Sequence, residues 1–240
     1  MKSGRCKGES FLFHFLPLAA ILLMFSVLCL PAALSQDSEW DQDRTAGPKA
    51  LQMFKVGLKF QQSGDLQNAV EAYRRSIGIT PKIAEVHWRL AQCQTRLGSY
   101  TDAEAEFRQA LNLNGNFVEC RNDYGMFLAR RQDKNDPDGG VREWKRCIQT
   151  KADYPYPHYN LAMHYREKGD LENAINYLES TVRLKPDYSD AWKELGLAIF
   201  ERASSGDLSE AAEALEKSAK LAPENPKVHY HLGYIYSNKG

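Results

Sequence analysis

Apolar side chains recur at intervals of three and four residues along most of the chain, and a longer period is superimposed on them. Small residues stand in register, separated by 34, 34, 37, 34 and 37 residues, at Gly57, Ala91, Gly125, Ala162, Gly196 and Gly233. Spacing of three and four is typical of amphipathic helices. A fixed period near 34 residues indicates a repeat architecture, in which each unit packs on its neighbours.

A second set of signals divides each period into two helices. A further small residue and then a large apolar one follow at Ala69 and Tyr73, Ala103 and Phe107, Gly140 and Trp144, Ala174 and Tyr177, and Ala211 and Leu215. Between the small positions lies a turn in which Asp or Ser follows Gly64, Gly98, Gly169 and Gly206. Since Gly ends a helix and Asp or Ser caps the next, the sequence predicts a helix pair per unit, with the large residue in its core.

The pattern resembles the tetratricopeptide repeat family, most clearly in residues 170–177 and 192–196. The resemblance covers residues 50–240 and implies an all-α, right-handed superhelical solenoid of antiparallel helix pairs. Its units are residues 50–83, 84–117, 118–154, 155–188 and 189–225, with a partial unit at 226–240. Terminal repeats normally have a polar outer face, whereas the last helix carries Tyr230, Tyr234 and Tyr236. We therefore expect a truncated chain rather than one that ends in a capping helix.

The first 35 residues have the pattern of an export signal. Lys2, Arg5 and Lys7 precede an apolar run at residues 11–30, and small residues follow at Ala33 and Ser35. This order is typical of a cleaved signal peptide, but about 20 apolar residues are also long enough for a membrane anchor. Both alternatives predict an exported protein, periplasmic or extracellular, and in the second residues 11–30 form a membrane tether. Residues 36–49 are predicted to be a polar linker.

Charge and motifs argue against several classes of function. The 31 basic residues balance 31 acidic ones, which excludes the basic surface expected of a nucleic-acid binder. The chain has neither the Cys and His spacing of a structural zinc site nor a phosphate-binding or nucleophile motif. We therefore expect no metal, no cofactor and no enzymatic activity.

Two further sets of residues are interpreted as parts of the core. Small apolar residues, with one disulfide as the alternative, are predicted at Cys93, Cys120 and Cys147. Core rings are predicted at the fourth position of their repeats, at His87, His158 and His229.

The family resemblance also implies a concave groove, lined by the first helix of each repeat. The fifth position of these helices reads Phe54, Trp88, Asn122, Tyr159, Lys193 and Tyr230. Further groove residues are Met126, Asn160, Met163 and Tyr234. Exposed aromatic and methionine side chains in a row are typical anchors for a partner peptide or helix. The alternative is that neighbouring hairpins bury part of this row.

These observations predict an exported protein-protein interaction scaffold, or adaptor, for an envelope or secretion assembly. Its partner would be an extended peptide or a helix. Residues 122–128 and 154–157 also resemble the tetratricopeptide pilotins of type IV pilus assembly, which gives a pilotin-like factor as a narrower alternative. A third alternative is the non-catalytic repeat region of a longer enzyme.

Overall fold

The computed structural model describes residues 47–131, 136, 138–202 and 208–237. The predicted leader at 1–35, most of the linker and the turn at Gly206 lie outside the described residues. The first described helix begins at Gly47, within the predicted linker. Within the described part, no helix is both long and apolar enough to cross a membrane.

Eleven α-helices make up nearly all of the described chain, and they alternate between two roles. The first helices of the pairs are α1 (Gly47–Ser63), α3 (Ala84–Arg96), α5 (Val118–Arg131), α7 (Pro155–Glu167), α9 (Ser189–Arg202) and α11 (Pro226–Ser237). The second helices are α2 (Leu66–Ile79), α4 (Tyr100–Leu113), α6 (Gly139–Thr150), α8 (Leu171–Leu184) and α10 (Leu208–Leu221). Each helix packs on the next along the chain, which gives an all-α solenoid of helix pairs.

The turns within the pairs follow the predicted chemistry. Gly64, Gly98 and Gly169 have φ angles of 84°, 81° and 77°, a left-handed conformation that costs other residues energy and glycine almost none. The side chain of Asp65 then accepts a hydrogen bond from the backbone of Asn68, and Asp170 does the same for Asn173. Each bond satisfies a backbone donor that the start of a helix would leave unpaired.

The small residues allow a large side chain of the second helix to lie directly on the backbone of the first. A Cβ atom added to Gly57 would stand 2.5 Å from Tyr73, and one added to Gly125 would stand 2.6 Å from Trp144. Tyr73 and Trp144 are accordingly buried. The predicted core positions Phe107 and Leu215 are buried as well.

The fourth unit departs from the prediction that Tyr177 fills this core position. Tyr177 is half-buried and stacks on Tyr165 with ring centroids 5.6 Å apart, whereas the adjacent Leu178 is fully buried. In the other four units the core residue lies four positions after the small one, and Leu178 has that spacing from Ala174. A spacing of four residues from the small residue, about one helical turn, therefore decides which side chain faces the first helix, and aromatic character does not.

The described cysteines, Cys93, Cys120 and Cys147, are buried and free, as the core interpretation predicts, so the disulfide alternative is wrong. Burial raises the pKa of Cys93 to about 11 and that of Cys147 to about 12. These thiols stay protonated near neutral pH and act as small apolar residues.

The fourth-position rings do not all belong to the core, which corrects the prediction made for the histidines. Only His87 is buried; His158 is half-buried and His229 is exposed. The Nε2 atoms of His87 and His229 lie 2.8 and 2.5 Å from the carbonyl oxygens of Pro81 and Pro223, each six residues earlier. The indole of Trp192, at the same position, donates to the Pro186 carbonyl at 2.8 Å. The shared role of these three rings is to tie the closing turn of one repeat to the next helix.

At His87 this arrangement predicts a dependence of stability on pH. Burial lowers the pKa of His87, but hydrogen bonds with the Glu106 carboxylate, at 2.6 Å, and the Pro81 carbonyl raise it by more, so the net pKa lies above its usual value. A raised pKa in the folded state contributes stability below about pH 6.5 that is lost as pH rises through the folded pKa. We expect the urea midpoint to fall less between about pH 6 and pH 9 in Glu106→Gln than in the unchanged protein.

The difference between the two proteins isolates this pair. Burial lowers the pKa of His158 and of His164. Their titration therefore changes stability only below about pH 6.5, and it does so equally in both proteins. Parallel urea midpoints across the whole pH range would contradict the assignment of a charged His87.

Candidate functional site

The first helices α1, α3, α5, α7, α9 and α11 define one face of the solenoid, which is called the groove below. Among the predicted groove residues, six are half-buried, namely Trp88, Met126, Tyr159, Asn160, Met163 and Lys193. Tyr230 and Tyr234 are exposed, at 71% and 50%. Half-buried side chains are anchored by their neighbours yet still present surface to a ligand, so most of the predicted row lies on an accessible face.

Phe54 and Asn122 differ from the rest because both are buried. Phe54 packs in the core of the first pair, with its ring 5.9 Å from that of Tyr73. The Asn122 amide lies inside a hydrogen-bond network, where it accepts from Asn160 at 2.8 Å and donates to Asp123 at 3.4 Å. Phe54 therefore supports the first repeat, and Asn122 positions other polar groups, rather than offering a surface to a ligand.

Asp123 is the centre of this network. Its carboxylate accepts hydrogen bonds from the Trp88 indole at 2.9 Å and from the Gln92 amide at 2.7 Å, in addition to Asn122. Burial raises the pKa of Asp123, and the hydrogen bonds from Gln92, Trp88 and Asn122 lower it by less, so the net pKa lies above its ordinary value. Donors on two neighbouring repeats thus converge on one carboxylate in the floor of the groove.

The network continues towards the first repeat. The Gln61 amide donates to Gln92 at 3.2 Å and accepts from the Tyr73 hydroxyl at 2.6 Å. Tyr73, Gln61, Gln92 and Asp123 therefore form a polar ladder that crosses the first three repeats. Since each member has its partner on a different helix, the ladder fixes the spacing of α1, α3 and α5 as well as their side chains.

A cavity of about 290 Å³ opens beside the ladder. Its walls are Phe107, Met126 and Phe127, its polar floor includes Asp123, and two exposed arginines line it, Arg96 and Arg130. A few polar groups set in an apolar wall are typical of a site that fixes the orientation of a bound side chain.

The second half of the groove has a different character. Tyr159 packs against Tyr188 with ring centroids 5.0 Å apart, and Lys193 is 2.7 Å from Asp190 and 3.4 Å from Glu194. A second cavity, of about 320 Å³, is lined by Met163, Arg166, Glu167 and Glu201. The predicted groove residues Met126 and Met163 thus line separate cavities.

Several polar groove residues are absent from the predicted set, although the sequence contains a signal for them. Asp123 lies at the sixth position of its repeat, and Gln61 and Arg166 lie at the twelfth position of theirs, which the family places in the groove. Arg166 bonds both Glu194 and Glu201 across to α9. Polar side chains at these positions form the network, whereas the predicted set consists mainly of aromatic residues and methionines.

Comparison with curated proteins finds relatives that are longer than this chain. It is 21% identical over 191 residues to Protein O-mannosyl-transferase TMTC1 of Homo sapiens and 24% identical over 198 residues to Bacteriophage adsorption protein A of Escherichia coli. These matches cover 78% and 82% of the chain but 21% and 19% of the two relatives. The chain therefore spans about a fifth of their length. The TPR repeat-containing protein PA0015 of Pseudomonas aeruginosa is 38% identical over 78 residues, which are 32% of this chain and 71% of that protein.

Solved structures share the fold. The pilF protein of Pseudomonas aeruginosa superposes with a TM-score of 0.71 at 18% identity, over 82% of this chain and 88% of that one. YrrB, described as a TPR protein with an unusual peptide-binding site, gives a TM-score of 0.54 at 14% identity, over 80% and 92%. At these identities the likeness concerns the fold.

A family profile settles the relationship at the level of sequence. The profile described as Tetratricopeptide repeat matches residues 57–116, 159–226 and 201–240, which together make up more than half of the chain. The described residues of these ranges lie in the helices and turns described above, and α5 and α6 lie outside the matched ranges. The chain belongs to the tetratricopeptide repeat family.

Proposed function

We propose that this protein is a protein-binding scaffold whose groove takes an extended peptide or a helix of a partner. The observation that carries the proposal is the row of half-buried Trp88, Met126, Tyr159 and Met163 beside two cavities. Tetratricopeptide proteins bind peptides or proteins, and YrrB is described as having a peptide-binding site. Scaffolds of this family are generally non-catalytic, and we propose the same here.

Trimming the two cavity methionines tests this proposal. Peptides selected by phage display on the unchanged protein serve as probes. We expect Met126→Ala or Met163→Ala to weaken the selected peptides at least about tenfold, since a buried interface anchor contributes more than about 1.4 kcal/mol to binding. Fluorescence anisotropy measures the affinities, and thermal melting checks that the fold is kept.

Met53 on α1 provides a matched control, because it is also half-buried but lies at the fourth position of its repeat, outside the groove set. Met53→Ala should leave peptide affinity unchanged. If the selected peptides bind all three variants with the affinity of the unchanged protein, they do not use this groove and the proposal is wrong.

The proposal also includes the location of the protein in the cell. The basic and apolar pattern of residues 1–35 supports an exported protein that serves an envelope or secretion assembly, with residues 11–30 as a membrane tether if the leader is retained. Mass spectrometry of the exported fraction checks this, with a chain that begins at Gln36 as the expected result.

Two narrower alternatives have support of their own. The resemblance of residues 122–128 and 154–157 to pilotins favours a pilotin-like factor, and the likeness to pilF adds the shared fold. The match to about a fifth of TMTC1, whose name is that of a mannosyl-transferase, favours the non-catalytic repeat region of a longer enzyme. Detection of a secretin in complex with the protein would favour the first alternative.

A further inference from the structure

The 290 Å³ cavity in the first half of the groove has positive charge at its edge. Arg96 and Arg130 are exposed, and no described acidic residue lies within ion-pair distance of either. Other arginines of the same helices are compensated, because Arg89 lies 3.4 Å from Glu85 and Arg131 bonds Glu104. The two cavity arginines therefore have guanidinium donors available for a ligand.

The floor of the cavity does not supply the missing counter-charge. Asp123 is turned towards its own three donors, and Oδ2 already accepts from both Trp88 and Gln92. Burial also raises the pKa of Asp123. Above this floor, Phe107, Met126 and Phe127 provide an apolar wall. A ligand that fits this cavity has an apolar side chain to place against the wall and an anionic group to place at the edge.

The second half of the groove offers no such combination among the described residues. Its cations are compensated internally, since Arg166 bonds Glu194 and Glu201 and Lys193 lies between Asp190 and Glu194. Its cavity has Glu167 and Glu201 in the lining beside the single Arg166. Among the described residues that line the two cavities, Arg96 and Arg130 are thus the cations without a counter-charge.

We propose that this cavity binds an extended segment of a partner protein in which an Asp or Glu lies next to a large apolar residue. The apolar side chain packs against Phe107, Met126 and Phe127, and the carboxylate binds Arg96 and Arg130. The planar guanidinium matches a carboxylate in two-point geometry, which makes arginine the suitable residue for this contact. The inference rests on the proposed function and adds the chemistry of the partner.

Three pools of synthetic decapeptides test the inference. All share the same mixture of Leu, Ile, Phe and Met at their apolar positions, and their polar positions carry either Asp and Glu, Asn and Gln, or Lys and Arg. We expect the acidic pool to bind the unchanged protein at least about tenfold more tightly than the neutral pool. The preference should shrink as salt rises from about 50 to about 500 mM, because exposed charges are screened.

The double variant Arg96→Gln, Arg130→Gln should lose the preference for the acidic pool and keep its melting temperature. Lys145→Gln, Arg183→Gln is the matched control, because it removes two exposed positive charges from the second helices α6 and α8. This control should keep the preference. It separates a local effect of the cavity from the change in net charge.

The remaining outcomes overturn either this inference or the proposed function. If the neutral or basic pool binds as tightly as the acidic one, or if the cavity variant weakens all pools equally, the inference is wrong while peptide binding stands. If no pool binds the unchanged protein, the proposed function fails together with the inference.

Discussion

Replacing Phe107 by alanine is expected to lower the free energy of unfolding by about 3–5 kcal/mol, because a buried aromatic ring is removed and a cavity remains. Phe107 is 2% exposed, and its ring lies 5.5 Å from those of Tyr124 and Phe127. These partners belong to α5, so the loss weakens the interface between the second and third repeats as well as the pair α3 and α4. Urea denaturation followed by circular dichroism measures the change.

Tyr100, in the first turn of the same helix, is the control. It is 51% exposed, and its ring centroid lies 6.2 Å from that of Phe127. Tyr100→Ala should change the free energy of unfolding by less than about 1 kcal/mol. Similar losses in the two variants would show that burial in this core does not determine stability.

The same substitution at two equivalent glycines is expected to have opposite effects. A Cβ atom at Gly196 would stand 2.7 Å from Leu215 and 3.0 Å from the Ala211 carbonyl oxygen, so Gly196→Ala should cost about 1–3 kcal/mol through crowding. At Gly233 no described atom lies within 4 Å of the added Cβ, apart from the adjoining residues and the backbone of its own helix. Gly233→Ala should instead stabilise the helix by up to about 1 kcal/mol, since alanine has the higher helix propensity.

The two variants should therefore differ by about 1–4 kcal/mol in the free energy of unfolding. Thermal and urea denaturation of both proteins under identical conditions measures the difference, and each glycine acts as the control for the other. Losses of equal size would show that the Gly233 face is covered in solution.

Much of the fold could be predicted from the sequence because the solenoid repeats one local arrangement. Gly125 and Trp144 show why, since their spacing in the chain already places a large ring against a backbone that has no side chain. Tyr177 shows the limit. Tyr177 and Leu178 are neighbours and both apolar, so the helical register decides which of them fills the core position. The prediction chose Tyr177 because it is aromatic.

The candidate site was less predictable because its polar contacts join residues that are distant in sequence. Two of the three donors to Asp123 come from residues 31 and 35 positions earlier. Its repeat position marks it as a groove residue, but its role as an acceptor follows from how three helices are placed. Phe54 illustrates the opposite error, because the same repeat position is half-buried in the second and fourth units but lies in the core in the first.

The polar ladder has a thermodynamic consequence for recognition. Gln61, Gln92 and Asp123 are already held in one arrangement before any ligand arrives. Side chains that are free in solution lose rotational freedom when a ligand orders them, at a cost of about 0.5–1.5 kcal/mol each. In the ladder, these side chains lose most of their rotational freedom on folding, before a ligand binds. Calorimetry of a peptide bound at the first three repeats should accordingly give a smaller entropic penalty than one bound around the exposed Tyr230 and Tyr234.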